Sequence, residues 1–258
     1  MKHIPNIFTL LNLFFGCLAI VYSLQLNVSF FYEVNGEPIL ESMQSSLWMG
    51  SLFIGIAAVI DFFDGFIARM LNASSKLGKE LDSLSDIVSF GVAPAVILYQ
   101  ILRLALMRQE DGADESVIWN FPAFILACCA AYRLAKFNLD DSQQYYFKGV
   151  PSPASALVVA SLPLILYYNY FEGSVNDLLL NKWVLYLIIF LLSYLMVSNI
   201  PFLSLKFQNK TLKGNLPLII MVILSVVLIM VLKWLAVPII FLLYIIISVT
   251  TIRKTEIK

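Results

Sequence analysis

The sequence is poor in charged residues. Only 13% of its 258 residues are Asp, Glu, Lys or Arg, whereas 60% are hydrophobic. Soluble domains devote about 25% of their residues to those four types, so this chain has too little polar surface to cover a water-soluble fold. The composition therefore predicts a polytopic membrane protein of the all-α class.

Histidine, cysteine and a charge of one sign are also scarce. Basic and acidic residues number 17 each, and this balance gives no reason to expect a nucleic-acid partner. Histidine occurs once, as His3, and the three cysteines lie in apolar segments without metal-ligand spacing. We therefore expect the cysteines to pack in the helix bundle rather than to form a disulfide framework or a zinc site.

Apolar segments recur along the whole chain. A helix needs about 20 such residues to cross a bilayer, and we predict eight crossings in one domain, residues 1–258. Their expected limits are 6–25, 46–69, 81–102, 117–138, 153–171, 182–199, 215–232 and 234–252. The first segment lacks a basic leader and a small-residue cleavage signal, so we expect it to remain as a spanning helix.

The basic residues predict the orientation of these helices. If the N-terminus is inside, thirteen of the 17 basic residues fall in segments on the inner side. The four on the outer side are Arg103, Arg108, Lys182 and Lys233. Because inner loops carry the excess of Lys and Arg, we expect both termini, and the loop that contains Gly78, on the cytoplasmic side of the inner membrane.

Four aspartates lie between residues 61 and 86, inside two of the predicted helices. A charge at the bilayer centre costs about 2.5–3.5 kcal/mol, so their presence requires a chemical reason. Asp61, Asp64, Gly65 and Ala68 share one helical stripe, since they follow the spacing i, i+3, i+4, i+7. The small residues of this stripe favour close contact with a neighbouring helix.

The next helix carries the second pair of aspartates, Asp82 and Asp86, one turn apart. An antiparallel hairpin would bring this pair opposite Asp61 and Asp64. Four carboxylates in such a hairpin need cations, and oxygen ligands without His or Cys favour Mg²⁺ or Mn²⁺ over zinc or copper. We expect two ions held by the four aspartates, an arrangement suited to phosphoryl chemistry.

A structural alternative needs no metal. The four aspartates would then form buried ion pairs with the cations near the turn of the hairpin, Arg69, Lys76 and Lys79.

The same stretch resembles the signature of the CDP-alcohol phosphotransferase family. That signature reads D-x-x-D-G-x-x-A-R, eight residues, then G-x-x-x-D-x-x-x-D, and this sequence matches every position. The residues that fill it are Asp61, Asp64, Gly65, Ala68, Arg69, Gly78, Asp82 and Asp86. These enzymes transfer a phosphatidyl-type group from a CDP-linked lipid to an alcohol and release CMP.

The resemblance also implies roles for these residues. Asp61, Asp64 and Asp82 would be metal ligands, and Asp86 would be the general base. Gly65, Ala68, Arg69 and Gly78, together with Asp61, would bind the CDP moiety. The family also implies a homodimer, although no interface can be read from the sequence.

A polar edge begins the first predicted helix. Asn6, Thr9 and Asn12 follow one another at three-residue spacing in I-P-N-I-F-T-L-L-N. These side chains would either hydrogen-bond to neighbouring helices or contact the cytidine and its ribose. The resemblance favours CDP binding for Asn6 and Thr9, because a P-N-x-x-T element recurs in the family.

A second polar cluster follows the fourth predicted helix. Arg133 and Lys136 could simply anchor the end of that helix. Alternatively, these two residues and Lys148 bind a carboxylate or phosphate of the acceptor or lipid, beside a turn stiffened by Gly149 and Pro151. The stretches R-L-A-K-F-N and F-K-G-V-P-S-P-A resemble those of membrane-embedded phosphatidylserine synthases, with Lys136 in place of the more usual Arg.

This second resemblance implies an acceptor. The hydroxyl of L-serine would attack CDP-diacylglycerol, giving phosphatidylserine and CMP. A sibling activity towards glycerol 3-phosphate, an inositol or its phosphate, or another alcohol is the first alternative. A cation transporter whose carboxylates form a transport site is the second.

Overall fold

The computed structural model of the chain is almost entirely helical in its described part. The described residues are 4–25, 33–34, 37–38, 41–70, 75–109, 116–139, 146–168, 174–203 and 216–256. The helices are α1 (Ile4–Leu24), α2 (Glu41–Met70), α3 (Lys76–Asp86), α4 (Ala93–Met107), α5 (Ile125–Leu139), α6 (Ser152–Tyr168), α7 (Ser174–Leu179), α8 (Lys182–Val197), α9 (Leu216–Leu232) and α10 (Ala236–Glu256). The all-α class predicted from composition is thereby confirmed.

Irregular helical segments and short strands connect these helices. A π-helical segment, Ile87–Val92, joins α3 to α4, and 3₁₀ segments, Val117–Phe124 and Lys233–Leu235, precede α5 and α10. The strands form two antiparallel pairs, β1 (Glu33–Val34) with β2 (Glu37–Pro38), and β3 (Tyr146–Lys148) with β4 (Pro201–Leu203).

Five helical stretches within the described ranges are long and apolar enough to cross a bilayer. They are Pro5–Leu24, Ser46–Ile67, Lys76–Met107, Val117–Leu139 and Met221–Ser248. The chain is therefore an integral membrane protein. Helices occur at all eight predicted positions, but α6 and α8 are shorter, at 17 and 16 residues. The count of eight crossings and the cytoplasmic position of the termini stay predictions.

The last two predicted helices form one apolar stretch with a turn in it. Lys233 has a φ of +51°, which belongs to the left-handed region. A helix cannot continue through that conformation, and α9 and α10 contact each other on either side of it. The helix is therefore interrupted at Lys233, between the last two predicted spans.

The third predicted span begins earlier than its sequence limits suggested. Helix α3 starts at Lys76 because Ser75 caps it: the Gly78 amide donates to Ser75 Oγ at 3.0 Å. Gly78 thus lies in the first turn of α3, and its predicted place in the loop was wrong. An extended N-cap residue that satisfies an orphan amide starts a helix before its apolar run begins.

The same span contains the π-helical segment, immediately after Asp86. Pro94 has no amide hydrogen, so it removes one bond of the regular helical ladder. The ladder widens instead, and the Ala93 amide donates to the Val88 carbonyl, five residues back. The helix therefore contains a π-helical segment before Pro94, a feature often found at functional sites.

Helices α4 and α6 form the centre of the molecule, since most of their side chains are buried. Helix α1 contacts α2, α3 and α4, while α2 also contacts α6 and α5 packs on the π-helical segment. A Cβ atom at Gly16 would lie 2.9 Å from the Cα atom of Ser89, so glycine is required for α1 to approach the π-helical segment. This close approach places the polar edge of α1 beside the aspartates.

Candidate active site

Three of the four aspartates converge between α2 and α3. One carboxylate oxygen from each of Asp61, Asp64 and Asp82 lies within 4.8 Å of the other two. Asp64 is buried, with 6% of its surface exposed, and the other two are half-buried. The antiparallel hairpin predicted from helical spacing therefore does bring the two aspartate pairs together.

This group of oxygens fits a hard divalent cation. Oδ1 of Asp82 is buried and has no hydrogen-bond partner within the described part of the chain. A buried carboxylate oxygen without a donor is costly unless a cation neutralises it. All three ligands are carboxylates, which is the ligand chemistry that Mg²⁺ and Mn²⁺ prefer. Asp61, Asp64 and Asp82 can thus hold such an ion.

The fourth aspartate lies next to this group at the C-terminal end of α3. Asn12 Nδ2 donates to Asp86 Oδ1 at 3.2 Å, and the Asp61 and Asp86 carboxyl groups are close enough to share a hydrogen bond. Asp86 is buried, with 8% of its surface exposed. It is thus held beside the three clustered carboxylates without belonging to that close group.

The polar edge of α1 connects both aspartate pairs. Thr9 Oγ1 donates to Asp64 Oδ2 at 3.0 Å. Two serines on the other side bind the backbone of α1: Ser85 Oγ of α3 donates to the Thr9 carbonyl at 3.1 Å, and Ser89 Oγ of the π-helical segment donates to the Asn12 carbonyl at 3.0 Å. The polar edge of α1 therefore makes hydrogen bonds to neighbouring helices, which was one of the two interpretations of this edge.

Two residues predicted to bind the nucleotide meet at the start of α3. A Cβ atom at Gly78 would lie 3.1 Å from Asn6 Oδ1 and 3.1 Å from Ser75 Oγ. Glycine therefore lets the half-buried Asn6 side chain approach the first turn of α3. Amide groups at the start of a helix favour negatively charged ligands.

The remaining signature residues belong to α2. Gly65 directly follows Asp64 and is half-buried. Ala68 and Arg69 are helical, but their side chains lie outside the described residues, so their predicted contacts stay predictions.

Arg133 on α5 is the buried cation of this region. It is 8% exposed, its Nη1 donates to Ser152 Oγ at 3.0 Å, and its guanidinium lies 6.0 Å from the centre of the Phe137 ring. Its positive charge interacts with Asp86. Arg133 is therefore part of the site's electrostatics and not a snorkelling anchor at the membrane surface.

The other two predicted cations have different surroundings. Lys136 Nζ donates to Asn199 Oδ1 at 2.6 Å, which ties α5 to the segment after α8. Lys148 lies in β3 opposite Pro201 of β4, and its side chain is outside the described residues. Their roles in substrate binding stay predictions.

Backbone hydrogen bonds hold the turn after Lys148, which was predicted to be stiff. Gly149 has a φ of +78°, and a Cβ atom there would lie 2.4 Å from the Met196 carbonyl oxygen. The Gly149 amide donates to the Ile200 carbonyl at 3.0 Å, and the Val150 amide donates to the Leu195 carbonyl at the same distance. This turn fixes the start of α6, and with it Ser152.

Sequence reasoning missed several residues that hold the site together. Asn12 was recognised as polar but not as the partner of Asp86, and Ser85, Ser89 and Ser152 were not singled out. Ser85 and Ser89 lie three and seven residues after Asp82, so they share its helical face. That spacing was the available signal, whereas Ser152 became relevant only through the packing of α5 against α6.

Comparison with known proteins agrees with this geometry. The model of the CDP-alcohol phosphatidyltransferase family matches residues 2–195. A CDP-diacylglycerol–serine O-phosphatidyltransferase of Helicobacter pylori is 33% identical over 222 residues, covering 85% of this chain and 78% of the relative. The enzyme of that name from Bacillus subtilis is 33% identical over 206 residues, covering 80% and 93%, respectively.

A eukaryotic relative matches a shorter part. The Saccharomyces cerevisiae enzyme of the same name is 33% identical over 169 residues, covering 62% of this chain and 53% of the relative. The match to the family model includes all four aspartates, Asn12 and Arg133. Given these matches and the convergence of the aspartates, the chain belongs to the CDP-alcohol phosphatidyltransferase family.

Proposed function

We propose that this protein transfers the phosphatidyl group of CDP-diacylglycerol to the hydroxyl of L-serine, giving phosphatidylserine and CMP. The observation that carries the proposal is the convergence of Asp61, Asp64 and Asp82, with Asp86 held beside them. The choice of serine is supported by the relatives from Helicobacter pylori and Bacillus subtilis, which match most of the chain and are CDP-diacylglycerol–serine O-phosphatidyltransferases.

The three clustered aspartates hold Mg²⁺ or Mn²⁺ in this proposal. When bound, such ions neutralise phosphate oxygens and the leaving group, which favours phosphoryl transfer. Thr9 orients Asp64 through its hydroxyl, as partners of metal ligands commonly do. As predicted from the four carboxylates, the site binds two ions in this proposal, and Asp86 is a further ligand.

Asp86 acts as the general base. The serine oxygen forms a bond to the phosphorus that carries the diacylglycerol, the bond from that phosphorus to the CMP oxygen breaks, and the hydroxyl proton passes to the Asp86 carboxylate. Asn12 donates to Asp86 and so fixes the orientation of the carboxylate. Proton transfer to a positioned base contributes about 10²–10⁴ in rate.

Arg133 binds an anionic group of the substrates. Its buried guanidinium interacts with Asp86, so an anion bound to it lies near the base. L-Serine carries a carboxylate two bonds from the carbon that bears the hydroxyl. Guanidinium recognition of that carboxylate would orient the hydroxyl towards Asp86.

In this proposal the site lies at the cytoplasmic face of the inner membrane. The chain functions as a homodimer in that lipid bilayer. The excess of basic residues on one side of the predicted spans supports this orientation. It would give a water-soluble acceptor access to the site while the acyl chains of CDP-diacylglycerol remain in the bilayer.

Release of CMP by the purified protein in detergent tests the proposed function. With CDP-diacylglycerol and Mn²⁺ or Mg²⁺, CMP should appear when L-serine is added, and chelation of the metal should stop its release. Release with glycerol 3-phosphate or an inositol, but not with serine, would assign a sibling activity. Metal-dependent cation uptake into vesicles without CMP release would instead indicate a transporter.

A further inference from the structure

A second buried polar cluster lies where α5, α6 and α10 meet. Arg133, Ser152 and Ser155 have exposed fractions of 8%, 0% and 1%, and Tyr244 of α10 is 8% exposed. The surrounding side chains are largely apolar. Polar groups buried in such surroundings are hydrogen-bonded or bind a ligand.

Two polar atoms of this cluster have no hydrogen-bond partner in the described residues: Arg133 Nε and Ser155 Oγ. The other end of the guanidinium is satisfied, because its Nη1 donates to Ser152 Oγ at 3.0 Å. Ser152 and Ser155 are three residues apart on α6 and therefore lie on the same face of the helix. Both unpaired atoms can donate a hydrogen bond, so the ligand that would satisfy them is an acceptor.

A carboxylate matches these two donors. It offers two acceptor oxygens, and hydrogen bonds from a guanidinium to an anion are stronger than those between neutral groups. Arg133 and Asp86 are also close enough for their charges to interact, so the cluster and the proposed base belong to the same region of the bundle. A small hydroxy amino acid has both groups that this arrangement requires, a carboxylate for Arg133 and a hydroxyl for Asp86.

We infer that Ser155 is a specificity-determining residue whose hydroxyl, together with Arg133 Nε, binds the carboxylate of the acceptor amino acid. This inference rests on the proposed function and deepens it, because it assigns a residue of α6 to acceptor recognition. It also explains why α6 tolerates an unpaired hydroxyl in its core: the acceptor satisfies it.

Tyr244 of α10 is close enough to Arg133 for the two side chains to interact electrostatically. Tyr244 stacks on Phe202 of β4, with ring centres 5.9 Å apart and an angle of 21° between the planes. Ser248, one turn later, is fully buried and hydrogen-bonds to Tyr244. The C-terminal part of the chain, beyond the family match, thus contributes a buried residue near the Arg133 guanidinium. Hydrogen bonds to a carboxylate are stronger in buried surroundings.

Ser155→Ala tests this assignment directly. Loss of one hydrogen bond to a charged group should raise the KM for L-serine about tenfold or more, while kcat and the KM for CDP-diacylglycerol stay unchanged. Ser161→Ala is the matched control, because Ser161 is equally buried on α6 but donates to the Val158 carbonyl of its own helix at 2.6 Å. Its KM for serine should equal that of the wild type.

Two further measurements separate recognition from a structural role. Ethanolamine is serine without its carboxylate, so its inhibition constant should be the same for Ser155→Ala and the wild type. The thermal unfolding temperature without substrate should not fall, since alanine removes an unsatisfied buried hydroxyl. An unchanged KM for serine, or a lowered unfolding temperature with parallel losses for serine and ethanolamine, would overturn the inference.

Failure of the proposed function would look different. In that case the wild-type protein itself would release no CMP in response to serine. An active wild type with an unaffected Ser155→Ala variant would overturn only the assignment of Ser155.

Discussion

Substitution of Gly16 by alanine should impair catalysis although Gly16 touches no substrate. The new Cβ atom would lie 2.3 Å from Ser89 Oγ and 2.9 Å from Ser89 Cα. Ordinary contact begins at 3.4 Å, so the backbones of α1 and the π-helical segment must separate by about 0.5 Å. Rotation of the Ser89 hydroxyl would relieve only the first contact, and it would break the bond to the Asn12 carbonyl.

Both responses displace Asn12, which holds Asp86. Misplacement of a catalytic group by 1 Å costs about 10²-fold in rate, so a displacement of half that size should lower kcat about tenfold. Overpacking should also reduce the free energy of unfolding by about 1–3 kcal/mol. Serine-dependent CMP release at saturating substrate measures the first effect, and thermal unfolding in detergent measures the second.

Gly55→Ala is the matched control for this experiment. A Cβ atom at Gly55 on α2 would meet no atom within 4 Å, and alanine favours a helix over glycine by about 1 kcal/mol. This variant should keep wild-type activity, and its stability should equal or exceed that of the wild type. If Gly16→Ala also kept full activity, or if both variants lost activity equally, the proposed effect of Gly16 on Asp86 through Ser89 would be refuted.

Three further substitutions test other parts of the site. Asp86→Asn should lower kcat for serine-dependent CMP release by about 10²–10⁴ at saturating Mn²⁺; near-normal initial rates would refute its role as base. Thr9→Val removes the 3.0 Å hydrogen bond to Asp64 and should weaken Mn²⁺ binding, measured by electron paramagnetic resonance, about tenfold or more; an unchanged Mn²⁺ affinity would contradict this role of Thr9. Gly149→Ala should lower the unfolding temperature, since a Cβ atom would lie 2.4 Å from the Met196 carbonyl oxygen; an unchanged temperature would show that this turn can relax.

The aspartate hairpin shows how much of the site a local sequence pattern can predict. Asp61 and Asp64, like Asp82 and Asp86, are three or four residues apart, and helical geometry alone puts each pair on one face. Burial of charge in an apolar segment then requires the two faces to meet around a cation. The convergence of three carboxylates within 4.8 Å was therefore predictable from residue order.

Contacts between distant segments were not predictable in this way. The bond from Asn12 to Asp86 joins residues 74 positions apart, and its existence depends on how closely α1 approaches the π-helical segment. That distance is set by Gly16 against Ser89, a packing detail without a periodic signature. The early start of α3 likewise followed from the side chain of Ser75 and not from hydropathy.

By itself, then, the sequence determined the membrane environment, the helical class and the aspartate cluster, because composition and helical periodicity act over short distances along the chain. Only the tertiary structure decided which polar groups are buried without partners. Arg133 looked like a residue at the end of a helix, yet packing of α5 against α6 buries it beside Ser152 and leaves its Nε unpaired. Whether a hydrogen bond is made or missing depends on the position of both partners, and in this bundle they come from helices that are separate in sequence.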